Sequence, residues 1–286
     1  MQNLTLKNYD IKIGDGEKLL VMAGLNVLED EGLALEVAAE LKNICADLEL
    51  PYIFKASWDK ANRSSINSYR GPDLGEGGLE AGLPILAAVK AAHQVPILTD
   101  LHEPQQAEKL GAVADVLQLP AFLVRQTDLV VATARQVAAT GGWLHAKKSQ
   151  NMAAWDCANI IAKAREGAPD VQIILCERGT SFGYNNLVVD MLAIPEMKKL
   201  GVPVTIDATH AVQLPGADPR TKGASSGGRR EGVAVLAKAG VAAGANGVFL
   251  EFHPEPDNAL CDAPSCLALS QARDLLAMLK NLHEVS

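Results

Sequence analysis

Apolar runs recur along this chain, each followed by a polar loop and then by a stretch of helical period. The runs are Leu19–Val27, Pro51–Trp58, Val95–His102, Val116–Phe122, Trp143–Lys148, Val171–Gly179, Pro203–His210 and Gly247–His253. Short runs bounded by turn residues read as buried strands. Between them lie Ala-, Leu-, Glu- and Lys-rich segments with apolar positions three and four apart: Glu31–Asp47, Gln105–Gly111, Thr127–Ala139, Ala153–Glu166 and Arg230–Ala243. These read as helices. Ahead of the first run, 4–14 alternates apolar and polar residues around Asn8-Tyr-Asp10, the pattern of a short hairpin. Repeated strand–helix units without a dividing linker predict an α/β chain folded as one (β/α)8 TIM barrel over 1–286, closed at one end by the N-terminal hairpin. A doubly wound open sheet is the alternative. It would want a Gly-rich first βα turn, and Ala23-Gly-Leu-Asn26 is not one.

The strand ends carry the candidate chemistry. Read in order, they present Asn26; Lys55 and Ser57; Asp100, His102 and Glu103; Gln118 and Arg125; Lys147, Lys148 and Gln150; Glu177 and Arg178; Asp207 and His210; Glu251 and His253. In a barrel such positions converge on the C-terminal face. A lone strand-end Asp can simply cap the next helix, and His102 or His145 can be a core histidine. A ring in which every run ends in polar groups is a site. One part of it is cationic: Lys55, Lys60, Arg63, Arg125, Lys148 and Arg178. Buried cations are costly unless matched by anions, so the ligand should carry more than one phosphate or carboxylate. Ser57, Ser64 and Ser65 add neutral donors beside them. A second part is His210, Glu251 and Asp262, which could ligate a divalent metal or move protons. The Gly-rich stretches 223–230 and 71–82 read as loops, the first as one that closes over a substrate.

Charge and composition narrow the classes. The 286 residues are 48% hydrophobic and 21% charged, so a large core is possible. A formal net charge of −8 argues against nucleic acid as a partner, and the cations must therefore act in a local pocket. No apolar run reaches the ~18 residues of a membrane span, and the first residues do not read as a secretion signal. Five scattered cysteines predict free thiols in a reducing cytoplasm.

Several long motifs resemble the 3-deoxy-D-manno-octulosonate 8-phosphate (KDO 8-phosphate) synthase family, a branch of the DAHP synthase superfamily. They are Lys55-Ala-Ser-Trp-Asp-Lys-Ala-Asn-Arg-Ser-Ser65, Thr99-Asp-Leu-His-Glu-Pro104, 117–128, 176–186, Asp207-Ala-Thr-His210, Ser226-Gly-Gly-Arg-Arg230 and His253-Pro-Glu-Pro256. The DAHP synthases themselves typically carry a Lys-Pro-Arg-Thr-Ser type sequence where this chain reads Lys60-Ala-Asn-Arg-Ser-Ser65. The resemblance implies condensation of phosphoenolpyruvate with arabinose 5-phosphate and release of phosphate. It implies that Lys55, Ser57, Lys60, Gln118, Lys148 and Arg178 hold phosphoenolpyruvate. Asn62, Arg63 and Ser64 would hold the sugar phosphate, with Arg125 supplied by a neighbouring subunit of a homotetramer. Asn26, Asp100, His210, Glu251 and Asp262 would be the catalytic set. The metal-dependent branch has Cys where this chain has Asn26, so the resemblance implies the metal-independent branch: no metal and no cofactor. Apolar Phe122, Leu123 and Val124 before Arg125 are expected to face water in a monomer and to mark the subunit contact.

The chain departs from the family pattern at Ser149, Asn151, Ala263 and an insertion at Asp73–Gly78, and His145 is unexpected on its strand. These departures leave the aldehyde substrate open. A paralogue using another phosphorylated aldose and a non-catalytic barrel serving as a scaffold are the alternatives.

Overall fold

The computed structural model describes residues 3–73, 78–218 and 226–286. The core of the fold is a ring of parallel strands: β3 (Leu20–Val27), β4 (Tyr52–Ser57), β5 (Ile97–Asp100), β6 (Val116–Leu119), β7 (Trp143–Lys147), β8 (Ile173–Glu177), β11 (Val204–Asp207) and β14 (Gly247–His253). They pair in that order, and β14 pairs back onto β3, so the sheet is closed and the doubly wound alternative is excluded. Helices α1 (Glu31–Asp47), α2 (Leu79–His93), α3 (Ala107–Gly111), α4 (Thr127–Thr140), α5 (Cys157–Gly167), α6 (Ala193–Lys198), α7 (Ala208–Ala211) and α8 (Val233–Ala242) connect the strands. Helix α9 (Ala272–His283) follows the last of them. Short pairs β9 (Thr180–Ser181) with β10 (Leu187–Val188) and β12 (Gln213–Leu214) with β13 (Gly227–Gly228) shape the loops, and β15 (Leu267–Ala268) pairs in parallel with the end of β14.

Strand alternation sorts the core into two parts. Outward residues such as Val21, Phe54, Leu117, Leu144 and Leu250 pack against the helices. Inward residues near the N-terminal ends of the strands form a separate apolar layer: Leu20, Met22, Ile53, Leu98, Val116, Trp143, Ile174 and Phe249. The hairpin β1 (Leu4–Leu6) and β2 (Ile11–Ile13), joined by a 3₁₀ turn at Lys7–Tyr9, plugs this end. Its Leu4, Leu6, Ile11 and Ile13 join the same layer. The chain thus seals the lower end of the barrel with apolar side chains and leaves the inward positions nearer the C-terminal ends to polar ones.

Close approach of backbones is needed beside the site. A Cβ on Gly24 would lie 2.1 Å from the Lys55 carbonyl oxygen, so only glycine lets β3 and β4 meet there. The two loops flagged in the sequence fall partly outside the described residues: 74–77 of the insertion and 223–225 of the Gly-rich stretch. None of the described helices is long and apolar enough to cross a membrane.

Ile13 is fully buried in the plug, far down the barrel from the polar ring. Ile13→Ala should cost about 3 kcal/mol through lost burial and the cavity it leaves. A drop in melting temperature on the order of 5–10 °C by calorimetry is the expected outcome. A shift below about 1 °C would show that the hairpin does not seal the core.

Candidate functional site

Inward positions at the C-terminal ends of the strands surround a cavity of about 660 Å³. Lys55, Ser57, Lys60, Asn62, Arg63, Ser64, Asp100, Gln118, Arg178, His210 and Asp262 from the expected set all line it. Alternation explains the convergence: Lys55 and Ser57 share a face with Ile53, and Gln118 shares one with Val116. Lys60, Asn62, Arg63 and Ser64 arrive on the loop after β4. Its neck is clamped by a two-point ion pair from Arg70 to the buried Asp59 and by Lys60 N–H donating to the Arg70 carbonyl, 2.7 Å.

Beneath the cavity the charges are paired. Lys55 Nζ donates to Glu251 Oε1 at 2.6 Å and to the Asn26 carbonyl at 2.8 Å, with both side chains of the ion pair essentially without exposure. Lys147 Nζ donates to Asp207 Oδ2 at 2.6 Å. The ring of Phe249 lies under both lysines, 5.2 Å from Lys55 Nζ and 3.8 Å from Lys147 Nζ, an added cation–π contact for each. Burial opposes the charge on Glu251, but His210, Lys55, Lys60 and Lys147 outweigh it and hold the carboxyl down at about 2. Asp207 is likewise held well below the usual carboxylate range, against burial, by His210 and Lys147. Burial pulls Lys55 below its ordinary value, an effect that Glu251 partly offsets.

His210 sits on the one-turn helix α7 after β11. Asp207 caps that turn by accepting from His210 N–H, and its other oxygen lies 2.8 Å from His210 Nδ1. Nδ1–H donation to Asp207 leaves Nε2 facing Glu251 Oε1 at 3.5 Å and Asp262 Oδ2 at 3.7 Å. Asp262 itself is in the left-handed region at φ 51°, a conformation that aims its carboxylate inward at some backbone cost. Asp100, also buried, lies 3.2 Å from His102 Nε2 and is held far below its ordinary range, against burial, by that histidine and by Lys60 and Lys55. Trp58 Nε1 donates to its carbonyl.

His210, Glu251 and Asp262 offer ligand atoms within 4.8 Å of one another, close enough for one divalent ion. The rest of the set does not fit a metal. Asn26 Nδ2 donates to Glu251 Oε2 at 2.5 Å and to Asp262 Oδ2 at 3.0 Å, so an N–H donor stands at the fourth corner and takes up one oxygen of each carboxylate. The Lys55 ammonium takes the other oxygen of Glu251.

Some donors aimed at the cavity have no partner. Arg178 is buried and bonds Gln213 Oε1 through Nη2 at 3.0 Å, while its Nε and Nη1 are unsatisfied, as is the hydroxyl of Ser57. An unpaired buried guanidinium edge is costly unless an anion fills it.

Two expected residues stand elsewhere. Lys148 does not line the cavity. Its parity on β7 is opposite to that of Trp143, His145 and Lys147, so it points away from the barrel interior. There it is buried 3.6 Å from Glu177 and donates to Thr180 Oγ1 at 3.0 Å. Lys147 is the lysine of this strand on the cavity wall. Arg125 lines a separate hollow of about 330 Å³ with Asn151, Asp156 and Lys163. The apolar segment before it is less open than expected: Val124 is fully buried, Leu123 packs against the core, and only Phe122, 63% exposed, faces out at the cavity mouth. Sequence reading missed Gln213 as the partner of Arg178 and Phe249 as the floor. No motif marks either one. Alternation along β7 could have separated Lys147 from Lys148.

The family model described as "DAHP synthetase I family" matches residues 2–286. A curated relative from Marinobacter nauticus is 51% identical over 285 residues, covering 100% of this chain and 96% of the relative. One from Hahella chejuensis is 50% identical over the same span. One from Azotobacter vinelandii is 50% identical over 282 residues, 99% of this chain and 95% of the relative. Each of the three is named 2-dehydro-3-deoxyphosphooctonate aldolase. The closed parallel barrel brings four of the six expected cations to one mouth, and the family match along nearly the whole chain identifies this chain as a member of the DAHP synthetase I family.

Proposed function

We propose that this chain condenses phosphoenolpyruvate with D-arabinose 5-phosphate and water, giving 3-deoxy-D-manno-octulosonate 8-phosphate and inorganic phosphate. The observation that carries the reading is the buried, partly unpaired Arg178 beside Ser57, Lys60 and Lys147 in one cavity, in relatives' company that bear the matching enzyme name. These groups, with Gln118, hold the phosphate and carboxylate of phosphoenolpyruvate. Asn62, Arg63 and Ser64, on the clamped loop, hold the sugar phosphate at the mouth. Two anionic substrates repel each other, and the cations screen that repulsion while fixing their alignment.

C3 of phosphoenolpyruvate bonds to the aldehyde carbon, whose oxygen takes a proton, and positive charge develops at C2. Water adds at C2 and gives up its proton. The hemiketal phosphate then loses inorganic phosphate and leaves the ketone. His210 Nε2 and Asp262 face the cavity as the groups that take and return these protons. Asp207 orients His210, and Glu251 stays ionised to offset Lys55. A negative Asp100 on the cavity wall, close to Lys55 and Lys60, favours the developing charge at C2. Asn26 keeps the two carboxylates apart by donating to both, and the reaction proceeds without a metal. Four of the five free cysteines are buried, which supports work in a reducing cytoplasm.

The test is phosphate release from phosphoenolpyruvate with a panel of phosphorylated aldoses. Release with arabinose 5-phosphate is expected. Release only with another sugar would overturn the substrate, and none with any sugar would mean a barrel without this activity.

Turnover should survive thorough chelation, since an amide N–H rather than a thiolate completes the His210, Glu251 and Asp262 cluster. Loss of activity that Mn²⁺ or Zn²⁺ restores would sink the metal-independent reading. In Asn26→Cys, stoichiometric metal uptake that wild type lacks is the expected gain.

The same reading makes the enzyme a homotetramer whose sites are shared. Arg125 does not line its own cavity, so it can serve a sugar phosphate only in a neighbour's. Mixing inactive Arg125→Ala and Lys60→Ala proteins under conditions of subunit exchange should restore activity in sites that combine the intact residues. No recovery despite proven exchange would confine each site to one subunit.

A further inference from the structure

His145 has no part in the chemistry above and does not line the cavity. It is fully buried on the inner face of β7, between Trp143 in the apolar layer and Lys147 on the cavity wall. Both ring nitrogens have partners. Nδ1 lies 3.2 Å from Gln118 Oε1, its register neighbour on β6. Nε2 lies 3.0 Å from Thr205 Oγ1 on β11. The ring stacks on Phe249, with centroids 6.0 Å apart and planes within 7°, and Phe249 is the floor that lies under Lys55 and Lys147. Burial and the neighbouring Lys147 hold the ring neutral, so it has one N–H and one lone pair to distribute.

The two tautomers present opposite faces of Gln118 to the cavity. With the proton on Nδ1, His145 donates to Gln118 Oε1, Thr205 donates to Nε2, and both N–H groups of the Gln118 amide are left for the cavity. With the proton on Nε2, the amide N–H must turn to Nδ1, and the Gln118 carbonyl oxygen faces the cavity. A phosphate or carboxylate there would meet an acceptor with no proton between them. The Thr205 hydroxyl has one proton and two acceptors in reach, His145 Nε2 at 3.0 Å and the Leu175 carbonyl at 3.3 Å, and the shorter contact goes to the histidine.

We propose that His145 is a positioning residue for phosphoenolpyruvate: through the Thr205–His145–Gln118 chain it holds the Gln118 amide with its N–H groups toward the substrate anion. This rests on the reading that the cavity binds phosphoenolpyruvate. His145→Leu removes both hydrogen bonds at similar volume. Its Kd for phosphoenolpyruvate alone, by titration calorimetry, should rise about tenfold, the effect of one hydrogen bond made to a charged group. The KM for the sugar phosphate should move by less than about twofold, because Gln118 is placed on the enol substrate. His145→Asn, whose amide nitrogen can stand where Nδ1 stood, should recover most of the loss. In a Gln118→Ala background, His145→Leu should add nothing.

Equal weakening of both substrates, failure of the Asn variant to recover affinity, or additive effects with Gln118→Ala would each overturn the proposal and leave His145 a packing residue. If His145→Leu does not fold, Thr205→Val tests the same chain. It should weaken phosphoenolpyruvate binding in wild type and not in Gln118→Ala, and an equal effect in both backgrounds overturns the proposal. Wild type that binds phosphoenolpyruvate in this His145-dependent way yet releases no phosphate with any aldose would support the positioning role while sinking the reaction. Wild type that does not bind phosphoenolpyruvate would sink both.

Discussion

The meeting of Lys55 and Glu251, 2.6 Å apart with neither side chain exposed, is the constraint around which the upper half of the barrel is arranged. Charges out of water are tolerated only in matched, hydrogen-bonded sets, and breaking one such pair costs about 3–5 kcal/mol. The structure meets that requirement twice across Phe249, with Lys55 on Glu251 and Lys147 on Asp207. Asn26 and His210 then tie the remaining carboxylate oxygens together. Arg178 and Ser57 are left partly unmatched at the cavity wall. The result is a floor that is electrostatically complete beneath a wall that is not, which is the condition for taking up an anion.

That arrangement needs rigid support. The apolar layer and the hairpin plug fill the barrel below, so the strands cannot shift to relieve the charges above. Gly24 lets β3 and β4 approach closely enough for Lys55 to reach the Asn26 carbonyl. The Asp59–Arg70 clamp closes the loop that carries Lys60, Asn62, Arg63 and Ser64. Interactions with no place in the proposed chemistry therefore decide where its participants stand. His145, in the layer between the apolar plug and the charged floor, has the same character.

Much was legible from the chain alone. The eight apolar runs became the eight barrel strands, and Gly247–His253 matched its strand residue for residue. Glu31–Asp47 matched its helix in the same way. The polar strand ends and the motifs that resemble the KDO 8-phosphate synthases pointed to the residues that line the cavity. These features are local: strand period, helix period and strand-end polarity follow from neighbours in sequence, so they can be read without the fold.

Whether a particular side chain faces the cavity was decided by the tertiary structure. Lys147 and Lys148 are adjacent and chemically identical, yet the barrel closes with one over Phe249 and the other outside against Glu177. Val124 looked exposed in a sequence run and is buried, because the loop after β6 folds back on the core. Arg178 with Gln213, Lys55 with Glu251, and His145 with Thr205 come from different strands or turns, and no spacing in the sequence announces such partners. The chain by itself determined which residues could carry charge at the strand ends. Only closure of the sheet decided which of those charges would be paired, because pairing depends on distances across the barrel that the order of residues does not contain.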